Sequence, residues 1–310
     1  MDWFFIALIP PALYALTNLL DVVLIRRVVR DVKMGALIVF TGVAYAGLLG
    51  VSWYAAGATV FSVPFQSAML AIAAGIFWVI FLIPYYRMMA VHEPDIVVPF
   101  FAFIPIYLAI AGTIFLGEYI DALGYAGIFL VFTGVIGASL ERWSLFFRAP
   151  FSLWAEMFMA SLSITAGIIA FKMAGELLSY WQSSFYMALG GIGTVVFLFV
   201  LRPLYVGQVV EVIGRVPRLY LAINIVNEVV DQTAGAVLRY ALLLGPAAVV
   251  QAINVGVQPL YMLVGWAILA PLGGFYGNRK MRVTFRRFAY LGLAAGGVIL
   301  VYMHTFAGAW

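Results

Sequence analysis

The chain is 310 residues long, 65% hydrophobic and 10% charged, with no cysteine and a net charge of +4; its mean hydropathy is +1.08. A soluble globular chain is near half apolar and about a quarter charged, so this composition excludes one and specifies an integral membrane protein. The lack of Cys and the wide separation of its two histidines, His92 and His304, exclude disulfide scaffolds, thiol catalysis and Cys/His metal sites, and no cofactor is expected.

A spanning helix needs about 20 apolar residues, so ten would use about 200 and leave no room for a soluble domain. Ten stretches fit in chain order: Trp3–Ile25, Gly35–Ala56, Ser67–Tyr86, Ile96–Leu116, Ala122–Leu140, Leu153–Glu176, Tyr180–Leu201, Leu219–Leu244, Ala247–Leu272 and Phe288–Met303. None alternates with period two as barrel strands do, so the expected class is all-α. The first stretch has no basic residue before it and Arg26–Arg27 after it, the pattern of a retained span rather than a cleaved signal.

Arg26, Arg27, Arg30, Lys33, Arg87, Arg142, Arg148, Arg202, Arg215, Arg218, Arg279, Lys280, Arg282, Arg286 and Arg287 fall at alternate connections, which gathers 15 of the 17 basic residues on one side. Basic residues mark the cytoplasmic face, so both termini are expected outside the cytoplasm, in a cell inner (plasma) membrane. Net charge +4 therefore reads as topology, and no nucleic-acid partner is expected.

The two halves, 1–150 and 151–310, carry five spans each and repeat weakly. The string IPIYLAIAG (Ile104–Gly112) aligns with QPLYMLVGW (Gln258–Trp266), putting Pro105 on Pro259 and Tyr107 on Tyr261. Five spans per half make the halves antiparallel, so an inverted repeat is expected, as in secondary transporters.

The stretch Ile104–Val135, IPIYLAIAGTIFLGEYIDALGYAGIFLVFTGV, carries Pro105, Leu116–Gly117–Glu118, Gly127 and Gly134. In those positions it resembles the end of the repeat unit of the drug/metabolite transporter superfamily, EamA type. The second half departs from that pattern, with Leu272 where the glutamate would stand and a basic insertion, Asn278–Arg282, before the last span. The resemblance implies a ten-helix carrier of small metabolites, amino acids, drugs or nucleotide sugars, often working by proton antiport or exchange. Most members are held to keep both termini in the cytoplasm; the charge count here points the other way.

Polar groups inside spans mark function or internal seams. The first span carries Tyr14, Asn18 and Asp21 on one face, with Pro10–Pro11 able to bend it, and Asp21 either serves proton coupling or pairs with Arg26 or Arg27. His92–Glu93–Pro94–Asp95, ahead of the fourth span, reads as a relay or, more simply, as a solvated helix start. Glu118 matches the family glutamate at the outer end of that span and is expected to be structural or a gate. Lys172 is expected to pair with Glu176, one helical turn on. Gly42–Ala46–Gly50 and Gly292–Gly296 are expected to be close helix contacts.

The eighth span holds Asn224, Asn227, Glu228, Asp231, Gln232 and Arg239, which fall within an arc of about 140° at 100° per residue. Its three charges together cost roughly 8–10 kcal/mol of insertion, so this face must meet water or partner helices. Gln251, Asn254, Gln258 and Tyr261 stripe the ninth span, expected opposite Phe100 and Tyr107 of the aromatic fourth. A cavity so lined would take an amphiphile, apolar body on the fourth span and head group on the eighth and ninth.

The substrate-binding set is therefore Asn224, Asn227, Glu228, Asp231, Arg239, Gln251, Asn254, Gln258, Tyr261, Tyr107, Phe100 and Asn18, with Glu228, Asp231 and Asp21 as proton-coupling groups. Arg239 either holds an acidic group or locks Asp231, and two carboxylates against one arginine favour a cationic or zwitterionic head. Enzyme signatures and a nucleotide-binding loop are missing. The expected function is a secondary transporter of a small amphiphilic organic solute, coupled to protons or exchange, acting as monomer or homodimer among membrane lipids. The alternatives are a flippase for lipid or lipid-linked phosphate and a non-transporting receptor or assembly subunit.

Overall fold

Hydrocarbon offers backbone N–H and C=O groups no water, so a chain this apolar must satisfy them within its own segments. The computed structural model describes residues 2–27, 34–92, 94–139, 148–215, 218–269 and 285–307, and no strand occurs among them. In chain order the helices are α1 (Asp2–Ala7), α2 (Ile9–Arg27), α3 (Met34–Ala56), α4 (Phe65–Ile80), α5 (Leu82–Val91), α6 (Pro94–Val97), α7 (Ile104–Phe115), α8 (Ala122–Ser139), α9 (Phe151–Gly175), α10 (Tyr180–Leu201), α11 (Leu204–Arg215), α12 (Arg218–Leu244), α13 (Ala247–Leu269) and α14 (Phe285–Ala307). Among the described residues, nine helical stretches are long and apolar enough to cross a membrane. The protein is a multi-pass membrane protein. α12, the predicted eighth span, is not among the nine because of its charges, yet its 27 residues make it about 40 Å long.

Prolines break three of the expected spans. Pro10 and Pro11 have no N–H and crowd the carbonyls four residues back, so the first span ends at Ala7, turns at Leu8 and restarts as α2. Pro84 does the same to the third span, which divides at Phe81 into α4 and α5. The fourth runs as α6, a 3-10 stretch Val98–Phe103 and then α7, with Pro99 and Pro105 each near the start of a segment. The tight winding gives the Ile104 N–H to Phe101 O, and Ser161 Oγ of α9 donates to the carbonyl of Phe100 at 3.2 Å.

The glycines of the Ile104–Val135 stretch have distinct structural roles. Gly117 takes φ +65° beyond the end of α7, which returns the Glu118 N–H to Gly112 O at 3.1 Å. Gly127 and Gly134 lie one heptad apart on α8, against the backbone of α14. A Cβ on Gly134 would stand 2.5 Å from Ala294 N, and one on Gly127 would stand 2.8 Å from Gly297 O. The α14 side of this seam is Tyr290, Ala294, Gly297 and Val301, not the Gly292–Gly296 pair expected from sequence; a Cβ on either of those glycines would meet no other element within 4 Å. Gly42 touches Val195, but Gly50 likewise meets nothing, so that stripe is a contact at one end only.

A helix stands where the sequence predicts only a connection. α11 follows the seventh span, with Val206, Val210 and Ile213 as an exposed apolar stripe. On its other side Gln208 Oε1 accepts the Gly35 N–H at 2.8 Å, satisfying a donor at the start of α3, and a Cβ on Gly35 would collide with Tyr205. α2 packs along both α12 and α13, α10 along α3 and α4, α9 along α4, α5 and α7, and α13 along α7, α8 and α14.

Candidate functional site

α12 presents its polar face to α2 and α3. Asn227 and Arg239 are buried, and Asn224, Glu228, Asp231 and Gln232 are half-buried. Long helical side chains point toward the N-terminus of their helix, so the Arg239 guanidinium reaches back over Gly235. A Cβ on Gly235 would lie 3.0 Å from Arg239 Nη1 and 3.5 Å from the Tyr14 hydroxyl of α2. Glycine there leaves room for both groups. The charges of Asp231 and Arg239 act on one another and on Tyr14 and Tyr45, so these four side chains from three helices form one electrostatic cluster. Tyr45 of α3, 3% exposed, went unnoticed in the sequence. It is a lone tyrosine beside a small-residue run, and only the approach of α3 to α12 gives it meaning.

Tyr180 braces the C-terminal third of α12. Its hydroxyl donates to Ala236 O at 3.0 Å and its ring packs edge-on against Tyr240 at 5.5 Å. Buried polar atoms without a hydrogen-bond partner among the described residues include Asn224 Nδ2, Gln232 Oε1, Arg239 Nε and Nη2, and Asn254 Oδ1. All five belong to the predicted polar faces.

The second polar stripe sits elsewhere. Gln251 and Asn254 are buried in α13, where Asn254 Nδ2 donates to Gln251 Oε1 at 3.2 Å; Gln258 and Tyr261 are half-buried further along. α12 and α13 touch one another far less than either touches α2, so α2 lies against both polar helices. Asn18, half-buried, is on that helix; Asp21 is in its last turns, its side chain outside the described residues. Phe100 is 1% exposed and packs edge-on against Trp154 at 4.8 Å, inside the hydrophobic core. Tyr107 is half-buried, stacked on Phe103 at 6.0 Å and edge-on to Phe158 at 5.4 Å. His92 closes α5, and Glu93 and the Asp95 side chain lie outside the described residues, as do connections 28–33, 140–147 and 270–284 with six of the fifteen basic residues used for orientation.

At the end of the bundle that carries the N-terminal helix, the expected Lys172–Glu176 pair is replaced. Lys172 Nζ of α9 bonds the Glu118 carboxylate and Gly245 O, while Glu118 Oε2 accepts the Ala247 N–H at 2.8 Å. Glu176 stands beyond the last turn of α9 and is exposed, whereas Gly117 swings Glu118 into contact range. The missed partner was 54 residues away in sequence. Near the start of α9, Arg87 meets Glu156 at 3.3 Å in a more exposed pair, so α9 is tied to the first half at both ends.

No protein-family model matches this chain, and no curated protein does. Among solved structures, 26 chains match. One, described only as the crystal structure of a protein, is 13% identical with a TM-score of 0.66, covering 96% of this chain and 94% of that one. The likeness extends to the fold.

Proposed function

We propose that the chain is a ten-helix, inverted-repeat secondary transporter that moves a small amphiphilic organic solute by alternating access. The observation that carries this reading is the carboxylate and amide face of α12, half-buried to buried at mid-helix and turned toward α2 and α3 rather than lipid. A helix with Glu228, Asp231 and Arg239 cannot rest in hydrocarbon unless those groups work or are fully tied down, and several polar atoms of this face have no partner among the described residues.

Helix pairing supports the repeat. Exchanging the halves maps the pairs α3–α10, α7–α13 and α8–α14 onto themselves, and maps α2–α12 onto α9–α4 and α2–α13 onto α9–α7. The broken helices α1–α2, α4–α5 and α6–α7 fit a fold in which half-helices meet a central site. The resemblance of Ile104–Val135 to EamA-type transporters points the same way.

In this reading Glu228 and Asp231 bind the head group or carry the coupled proton, Asn224, Asn227, Gln251, Asn254 and Gln258 supply hydrogen bonds, and Tyr14, Tyr107 and Tyr261 flank the solute. The test is uptake by liposomes holding the purified chain, with an imposed pH gradient and a panel of labelled amines, amino acids and aromatic acids. Gradient-dependent uptake is expected, and Glu228→Gln with Asp231→Asn should abolish it. A double variant that transports normally removes both carboxylates from the mechanism.

A further inference from the structure

We propose that the Arg239 guanidinium is an oxyanion site: its Nε–Nη2 edge takes the carboxylate or phosphate group of the solute. This rests on the transport reading and names the head-group chemistry it requires. Arg239 is 3% exposed, so its charge sits away from solvent. Its Nη1 end lies toward Gly235 and the Tyr14 hydroxyl. Nε and Nη2, whose hydrogens lie side by side on one edge of the planar group, are buried and have no acceptor among the described residues.

That edge is the fork that matches two oxygens of one carboxylate or phosphate. A buried guanidinium with two unmatched donors is costly to hold, and an oxyanion supplies both acceptors and the counter-charge together. The neighbours favour a ligand over a permanent partner. Asp231 is eight residues back in the chain, but the guanidinium folds back over Gly235, so Asp231 lies about one helical turn below it and acts on it through space. Gln232 Oε1, a buried acceptor without a donor, lies on the same face about two turns nearer the helix start. Donors at one level and acceptors below it suit a solute whose oxyanion points to Arg239 and whose N–H groups point to Gln232 and Asp231.

The test uses the purified full chain in nanodiscs of phosphatidylcholine, with thermal shift and direct binding measured for phenylalanine, phenyl phosphate and phenethylamine. A parallel arm replaces half the lipid by phosphatidylglycerol. Arg239→Lys keeps the positive charge beside Asp231 and removes the fork; its unliganded melting curve and elution profile establish that it folds. Phenylalanine, phenyl phosphate or phosphatidylglycerol should stabilise the wild type, and Arg239→Lys should weaken that binding about 10- to 100-fold. A lysine-sensitive effect confined to phosphatidylglycerol would assign the oxyanion to a lipid head group; one confined to the small probes would assign it to a free solute. Stabilisation by phenethylamine alone, by no oxyanion-bearing probe, or equally in Arg239→Lys overturns the proposal. Gradient-driven uptake with no oxyanion binding that Arg239→Lys weakens would leave the transporter standing without this site, and oxyanion binding without any uptake would leave the site without the transporter.

Discussion

Replacing Glu118 by glutamine keeps its shape and removes one charge from the junction of α7, α9 and α13. The carboxylate bonds Lys172 and accepts the Ala247 N–H at 2.8 Å, and Lys172 also donates to Gly245 O. The two side chains are 16% and 12% exposed, closer to a buried pair than to a surface one. Removing one partner of a buried pair costs about 3–5 kcal/mol, against about 0–1 for a surface pair. Glutamine still offers an oxygen to Ala247, and Lys172 keeps Gly245 O, so about 3 kcal/mol is expected. That corresponds to an apparent Tm lower by about 5 °C. The assay is thermal unfolding of the purified chain in detergent, followed by tryptophan fluorescence, as a double-mutant cycle with Lys172→Met. Glu176→Gln is the control and should stay within about 0.5 kcal/mol of wild type. The reasoning fails if Glu176→Gln costs as much as Glu118→Gln, or if the Glu118 and Lys172 effects simply add, within about 0.5 kcal/mol.

Two further substitutions test the packing. Gly134→Val should prevent the α8–α14 seam from closing, because even a Cβ would stand 2.5 Å from Ala294 N; expression of monodisperse protein should collapse, while Gly292→Ala, whose Cβ would meet nothing within 4 Å, should leave the melting temperature unchanged or slightly raised. Ser161→Ala deprives the buried Phe100 carbonyl of its side-chain donor, 3.2 Å away, and should lower stability by about 1–2 kcal/mol in the same melting assay, with Ser152→Ala, exposed on the same helix, unaffected.

Much of the candidate site was legible because a charge in a membrane span is an anomaly in one dimension. Glu228, Asp231 and Arg239 stand out in any apolar window, and their shared face follows from helix geometry alone. Tyr45 did not stand out, since an aromatic in a span is ordinary packing unless another helix brings a charge to it. The Lys172–Glu118 contact was hidden for a related reason. The nearest acid by sequence was Glu176, but α9 ends before that side chain can turn inward, and a left-handed glycine delivers Glu118 instead. Gln208 capping α3 was illegible in the same way, because α11 reads as a short connection until its packing is known.

By itself the sequence determined the solvent this protein lives in, the approximate limits of most of its apolar stretches, and which few residues lipid would reject. Those follow from transfer free energies, which are additive along the chain. Only the tertiary structure decided where prolines break the spans, that Gly127, Gly134 and Gly297 rather than Gly292 and Gly296 form the α8–α14 seam, and that Arg239 turns its Nη1 end to Tyr14 and leaves its other edge without an acceptor among the described residues. These depend on which helices approach within a side chain's reach, and a contact between residues far apart in sequence has no signature in either one alone.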